Sequence, residues 1–260
     1  MDRNFKYIYG PVHSWRLGVS LGIDPVSRKQ KICNFDCVYC QLGKTDIFCN
    51  ERKVYVPAAD IVDEVNAFPA GKIDYLTFSG RGEPTLAKNL GEMIRRLKAN
   101  RKEKVAVITN GALIDKEDVQ EDLLSADFVL IKLDAIDQES LTTINGAMDK
   151  IRFSRIVEGL KAFRKKFKKR LALQIMFING NKEYGKQMAG ISKEINADEI
   201  EINTPLRPSS VKPLSPEELQ GIKTFFKGQP ARTVYELNRK TIDPVNEEET
   251  IKRHGKFREQ

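Results

Sequence analysis

Six short β-branched runs, each followed by a stretch of helical periodicity, predict an α/β fold with a parallel sheet. The candidate strands are residues 16–23, 73–78, 105–109, 128–133, 171–178 and 199–203. Strands that alternate with helices join in parallel through right-handed crossovers. Six such units make either an open doubly wound sheet or a partial (β/α) barrel, and in both the ligands bind at the carboxyl ends of the strands.

The helices follow in order. Leu86, Leu90, Met93, Ile94 and Leu97 share one face between the second and third strands. Ile156, Leu160, Phe163 and Phe167 do the same before the fifth, and Tyr184, Met188, Ile191 and Ile195 after it. In "SPEE", Ser215 is a natural N-cap, Pro216 suits the first helical position and Glu218 completes a capping box. No repeat or linker divides residues 1–237, which are expected to form one body. Residues 238–260 are polar and charged and are expected to be a loosely held tail.

Composition narrows the function. With 260 residues, 40% of them hydrophobic, the chain can bury a substantial core. Its mean hydropathy of −0.44 and the lack of a long apolar run exclude a membrane span. The start "MDRNFKYIYG" lacks the apolar stretch of a secretory signal, so a cytoplasmic protein is expected. The net charge of +8 is uneven: the segment from Lys150 to Arg170 holds ten Lys or Arg against one acid, Glu158. Such a ridge could follow phosphates on RNA, or be a solvated helix face.

Three of the four cysteines stand in "CNFDCVYC", at Cys33, Cys37 and Cys40. Clustered thiols in a reducing compartment bind metal or do redox chemistry. A closed zinc site wants four ligands, and Cys49 is the one cysteine left to supply the fourth. The other reading is a [4Fe–4S] cluster whose fourth iron has no protein ligand, open to a small chelating molecule.

C-x₃-C-x₂-C with an aromatic before the last cysteine resembles the signature of the radical S-adenosylmethionine (SAM) superfamily. That resemblance implies a partial (β/α)6 barrel, one [4Fe–4S] cluster held by Cys33, Cys37 and Cys40, and SAM as second cofactor. It places Tyr39 beside the adenine. "FSGRGEPT" resembles the superfamily's Gly-Gly-Glu-Pro element, which holds the SAM amino group. Gly82, Glu83 and Pro84 match it, and Arg81 stands where a glycine is usual, with Gly80 as the alternative source of flexibility. Asn110 in "VITNGA" and Asp134 in "IKLDA" are candidates for the ribose hydroxyls, and Lys132 for the methionine carboxylate.

A longer stretch, "YGPVHSWRLGVSLGIDPVSRKQKICNFDCVYCQLGKT", resembles a group of radical SAM proteins distantly related to tRNA wyosine synthases. His13 and Trp15 depart from that group's usual Pro and Arg. "INTPLRPSS" resembles its late-barrel motif, and Asn203 and Arg207, together with Asn179, are candidate substrate contacts. The resemblance implies reductive cleavage of SAM to a 5′-deoxyadenosyl radical, with a flavodoxin or ferredoxin type of electron donor. A tRNA or other RNA nucleotide is the first expected substrate. Modification of a peptide or activation of a glycyl-radical protein is the second, and a non-enzymatic zinc or redox-sensing module is the alternative of another class. With only Cys49 left over, a second cluster ligated by several cysteines has no ligands in this chain.

Overall fold

A computed structural model describes residues 5–68, 71, 73–236 and 244–255. An eight-stranded sheet, curved into a partial barrel, forms the frame. Its parallel strands are β2 (Gly18–Ile23), β5 (Tyr75–Phe78), β6 (Lys104–Thr109), β7 (Phe128–Lys132), β8 (Arg170–Met176), β9 (Glu199–Asn203) and β10 (Ala231–Thr233), adjacent in that order. Strand β1 (Ile8–Ser14) closes the other edge, antiparallel to β2. Among the described residues β1 and β10 do not pair, so the barrel stays open between them. A two-stranded pair, β3 (Ile32–Cys33) and β4 (Ile47–Phe48), lies apart in the connection from β2 to β5.

Helices α1 (Ala58–Asn66), α2 (Leu90–Asn100), α3 (Glu117–Leu124), α4 (Gln138–Asn145), α5 (Phe153–Lys166), α6 (Gly185–Ile195) and α7 (Pro216–Lys223) cover the outer face. Strand alternation explains the division of the core. Leu21, Leu76, Val105, Val129 and Leu171 point outward and pack with Met93, Leu97 and Phe163 of the helices. Tyr75, Ala106, Phe128, Leu130 and Ala172 point inward and, with Leu17, form a separate apolar layer in the lumen. None of the described helices is long and apolar enough to cross a membrane.

The six expected strands are present, with shifted ends. The first starts at Gly18 because residues 15–17 make the turn back from β1, a strand hidden in the sequence by Gly10 and Pro11. The fifth stops at Met176 rather than residue 178. There Asn181 accepts from Ile178 N (2.8 Å) and donates to Met176 O (3.0 Å), so a side chain replaces the next rung of the ladder. Helix α5 ends at Lys166, yet Phe167 remains buried and stacks on Phe163 with centroids 5.0 Å apart. The SPEE capping box forms as read, with Glu218 N donating to Ser215 Oγ (3.2 Å) and Ser215 N to Glu218 Oε2 (2.8 Å).

The expected loose tail requires correction. Residues 238–243 and 256–260 lie outside the described residues, but α8 (Glu247–His254) docks on β1. Gly10 N donates to Thr250 Oγ1 (2.9 Å) and Val245 N to Gly10 O (2.9 Å). Arg253 is buried and reaches Asp24 Oδ2 (3.3 Å) and Lys6 O (2.6 Å). Asn246 caps the helix, Glu247, Glu248 and Glu249 begin it and Lys252, Arg253 and His254 end it. This charge order complements the helix dipole and could have been read in the sequence.

His254 lies against Arg207, with its pKa pushed down to about 3 by burial and by the Arg207 and Arg16 charges. The unfolded imidazole takes a proton below about 6.5, whereas the folded one resists until about 3. The unfolded state therefore binds more protons in that window, and the docking of α8 weakens as pH falls through it. Protection of the amides of residues 247–254, relative to their intrinsic exchange rates, is expected to fall between pH 6.5 and 4 more than that of β6 and β7; an equal change in both would refute this.

Candidate cluster and cofactor site

Parallel strands deliver their carboxyl ends to one side of the sheet, and the cysteine loop is tied down there. Asp36 N donates to Asn145 O (2.9 Å) and Val38 N to Ile144 O (3.0 Å), which fixes the loop on the end of α4. Met148 N donates to Asn34 O (3.2 Å), and Cys40 N to Cys37 O (2.9 Å) closes a turn around the second and third cysteines.

Each of the three thiols meets a nitrogen donor from a different element. Asn110, at the end of β6, approaches Cys33 Sγ at 3.6 Å. Asn145, ending α4, approaches Cys37 Sγ at 3.5 Å, and Lys31 Nζ approaches Cys40 Sγ at 3.2 Å. Burial pushes the Cys33 thiol up to about 12, with the Glu83 charge adding to it, and burial also raises Cys37. Among the described residues no three His, Cys, Asp or Glu side chains are close enough to hold one metal ion. A cluster takes one thiolate on each of several irons. Sulfur-directed N–H groups are what such a cluster needs around it.

Cys49 belongs to different company. Its backbone N donates to Cys33 O (3.1 Å), but its thiol meets Tyr55 Oη (3.6 Å) and Glu51 O (3.4 Å).

The "SGRGEP" loop follows β5 and packs against the strand that carries Cys33. Gly82 must be glycine, since a Cβ there would stand 2.1 Å from Ile32 O. Gly80 has φ +135°, and its missing side chain leaves room for Asp24, which accepts from Arg81 N (3.3 Å). Pro84 opens the 3₁₀ turn Pro84–Leu86. The carbonyls of residues 80–82 accept no hydrogen bond among the described residues.

Glu83 is held by protein donors on both sides. It is 2% exposed, and protein donors engage both its oxygens: Oε1 accepts from Thr85 N (2.9 Å), Thr85 Oγ1 (2.7 Å) and Thr109 Oγ1 (2.5 Å), and Oε2 from Asn110 N (2.8 Å). It fastens the end of β5 to the end of β6.

Asp134 is likewise enclosed. Tyr39 Oη donates to it, as do Asn145 Nδ2 (3.0 Å) and Met176 N (2.6 Å), while Lys132 Nζ lies at 3.6 Å. In this arrangement its carboxylate anchors Tyr39 and the end of α4 beside the cysteine loop. Lys132 Nζ sits 4.3 Å from the Tyr39 ring centroid, a cation–π contact. Asn110 is turned to Asn34 Oδ1 (2.7 Å) and Cys33.

The three candidate substrate residues are not brought to one point by any contact between them. Asn179 is exposed in the turn after β8. Asn203 is buried and caps its own turn through Thr204 N (2.8 Å). Arg207 donates to Gln41 Oε1 (2.9 Å), one residue past Cys40, and meets His254 of α8 (2.8 Å). The residues that sequence reasoning missed are Lys31, Asn34, Asn145 and Asn181. A strand-end asparagine looks like any turn former, and nothing in its spacing marks it as a partner of sulfur.

The basic segment begins beside this site, where Phe153 and Ile156 line the same cleft as Asn110, Lys132 and Asn145, and ends away from it. Helix α5 runs down to the amino end of β8, about 20 Å of strand away from the cysteine loop. Arg164 forms a double bond pair with Asp198 (2.9 and 2.8 Å), Arg170 pairs with Glu199, Lys161 with Glu194, and Lys169 donates to Ala126 O (2.8 Å). The far end of the ridge is thus largely paired within the protein. Changing Lys165, Lys166 and Lys168 together to Gln is expected to leave SAM cleavage unaltered, and a loss of more than about twofold would restore the ridge to the account. A cavity of about 1030 Å³ also opens at this end, lined by Gly18, Asp74, Tyr75, Lys104 and Arg170, far from the cysteines.

A partial parallel barrel with a three-thiol loop at its strand ends defines a class of protein that works at the barrel mouth. The chain belongs to the radical SAM superfamily, whose family model matches residues 28–187. Proteins of that superfamily use a [4Fe–4S] cluster and SAM, and take their electron from an external donor. A UPF0026 protein of Synechocystis, a name that states no activity, is 37% identical over 222 residues, covering 85% of this chain and 82% of its own. A UPF0026 protein of Methanocaldococcus jannaschii is 37% identical over 222 residues, covering 82% of this chain and 68% of its own. Among solved structures, a radical SAM methyltransferase from Sphaerobacter thermophilus superposes with a TM-score of 0.61 at 16% identity, covering 82% of this chain and 65% of that one. That likeness is one of fold.

Proposed function

We propose that Cys33, Cys37 and Cys40 hold one [4Fe–4S] cluster with an open iron, and that the protein is an enzyme that cleaves SAM there to remove hydrogen from a substrate in the barrel. The observation that carries this reading is the loop of three thiols at the strand ends, each facing a nitrogen donor from a separate element. Cys33, Cys37 and Cys40 would hold the cluster, which when reduced would supply one electron for the cleavage of SAM.

The chain's own residues do the rest. Asn110, Asn145 and Lys31 direct N–H groups toward the three sulfurs, the contacts that cluster sulfur ligands take. The carbonyls of Gly80, Arg81 and Gly82 are the acceptors available to the SAM ammonium, and Glu83 fixes the turn that presents them. Tyr39, held by Asp134 and Asn145, offers a buried aromatic beside the last cysteine for the adenine. Lys132, 17% exposed at its side chain, is the cation available to the methionine carboxylate.

The test is product analysis. Protein reconstituted without oxygen and reduced in the presence of SAM is expected to release 5′-deoxyadenosine and methionine in equal amounts. A folded, iron-loaded protein that releases neither would overturn the enzyme reading.

A further inference from the structure

Glu83 is not the only carboxylate that shapes the turn of Gly80, Arg81 and Gly82. Asp24, the residue after β2, is 1% exposed and occupies the space that a side chain on Gly80 would need. A Cβ on Gly80 would stand 2.4 Å from Asp24 Cγ, and the glycine has φ +135°. Asp24 Oδ2 accepts from Arg81 N (3.3 Å), and Oδ1 accepts from Val26 N (3.2 Å). A trans peptide points its N–H and its carbonyl in opposite directions. With Arg81 N on Asp24, the Gly80 carbonyl is therefore turned to the other side of the chain. Glu83 N fixes the Gly82 carbonyl in the same way by donating to Ile32 O (3.2 Å).

Asp24 has its cation from the far end of the sequence. Arg253 Nε of α8 donates to the same Oδ2 (3.3 Å), with side chains 7% and 1% exposed. The guanidinium also reaches Lys6 O (2.6 Å) and Ser27 Oγ (3.1 Å) and pairs with Glu249. One residue on, the His254 ring lies 6.4 Å from that of Tyr9, whose hydroxyl shares a hydrogen bond with Ser79, the residue before Gly80. Undocking α8 would leave the Asp24 carboxylate buried without its cation, which is costly. The turn and the helix are thus joined through one carboxylate.

We propose that Asp24 is a positioning residue that sets the Gly80 carbonyl for the SAM ammonium, and that Arg253 thereby couples the docking of α8 to SAM binding. Such coupling is reciprocal: a docked α8 raises the affinity for SAM, and SAM holds α8 in place by the same factor. The inference rests on the reading above that these carbonyls receive the ammonium.

Amide exchange of residues 247–254 in the iron-loaded protein, with and without saturating SAM, tests it together with SAM affinity by calorimetry. SAM is expected to raise the protection of α8 by at least about fivefold, the lower end of typical couplings, and to leave β7 unchanged. Arg253→Gln and Asp24→Asn are each expected to bind SAM at least about fivefold more weakly. Arg253→Lys keeps a cation for Asp24 and is expected to lose less. Iron content and the cluster's paramagnetic signal without SAM report that each variant is folded and loaded. A parent that binds SAM with no change in α8, or parental affinity in loaded Arg253→Gln or Asp24→Asn, would overturn the inference and leave the pair as a structural tie. A loaded parent that binds no SAM at all would refute the enzyme reading itself, and the inference with it.

Discussion

Cys33→Ala, Cys37→Ala and Cys40→Ala are each expected to abolish cluster binding, taking about four irons per chain to near none, while Cys49→Ala keeps them. The three thiols are separately addressed by Asn110, Asn145 and Lys31, so no neighbour is placed to substitute for a lost one. Cys49 directs its sulfur at Tyr55 and Glu51 instead. Iron analysis and the visible absorbance of anaerobically reconstituted protein measure the outcome. Loss of iron from Cys49→Ala as complete as from the other three would point to a four-thiolate site and end the open-iron reading.

Glu83→Ala is expected to have the next largest effect, and to act on stability as well as on SAM. The buried carboxylate satisfies two backbone N–H groups and two hydroxyls, and its loss strands donors at about 1–3 kcal/mol each, partly relieved by relaxation. A net loss of about 3 kcal/mol is a fall in melting temperature of roughly 6–12 °C at this chain length. Because Asn110 hangs from Glu83 and faces Cys33, iron loading is expected to fall with it. Glu83→Gln keeps the acceptor for Thr85 and Thr109 but turns an amide toward Asn110 N, so a smaller loss is expected. A Glu83→Ala protein with parental melting temperature and weaker SAM binding would restore Glu83 as a direct ligand of the ammonium.

What the sequence shows of this fold follows from periodicity. Six parallel strands and the helices α2, α5 and α6 are marked by periodic apolar residues, which packing rewards wherever they occur. β1 is obscured because Gly10 and Pro11 interrupt its pattern, and three-residue β10 is too short to have one. Helix α8 reads as a charged tail because only Thr250 and Arg253 of it are buried, and its docking rests on polar contacts with Gly10, Asp24 and Arg207.

The site divides the same way. Three cysteines at fixed spacing announce themselves, since few other uses explain them. The partners of those cysteines come from β6, α4 and the residue before β3, and only the fold brings them together. Glu83 and Asp134 show how a motif can be found while its partners stay hidden. A sequence identifies a carboxylate at a strand end, but whether its oxygens face a ligand or the protein depends on residues elsewhere, such as Thr109 for the first and Met176 for the second.

The account's central claim is that an open iron on the Cys33, Cys37 and Cys40 cluster receives SAM. Electron paramagnetic resonance of the reduced, reconstituted protein, recorded with and without SAM, tests it most directly. The account predicts a [4Fe–4S]⁺ signal whose g-values shift when SAM is added. A cluster signal identical in the presence and absence of saturating SAM would contradict it.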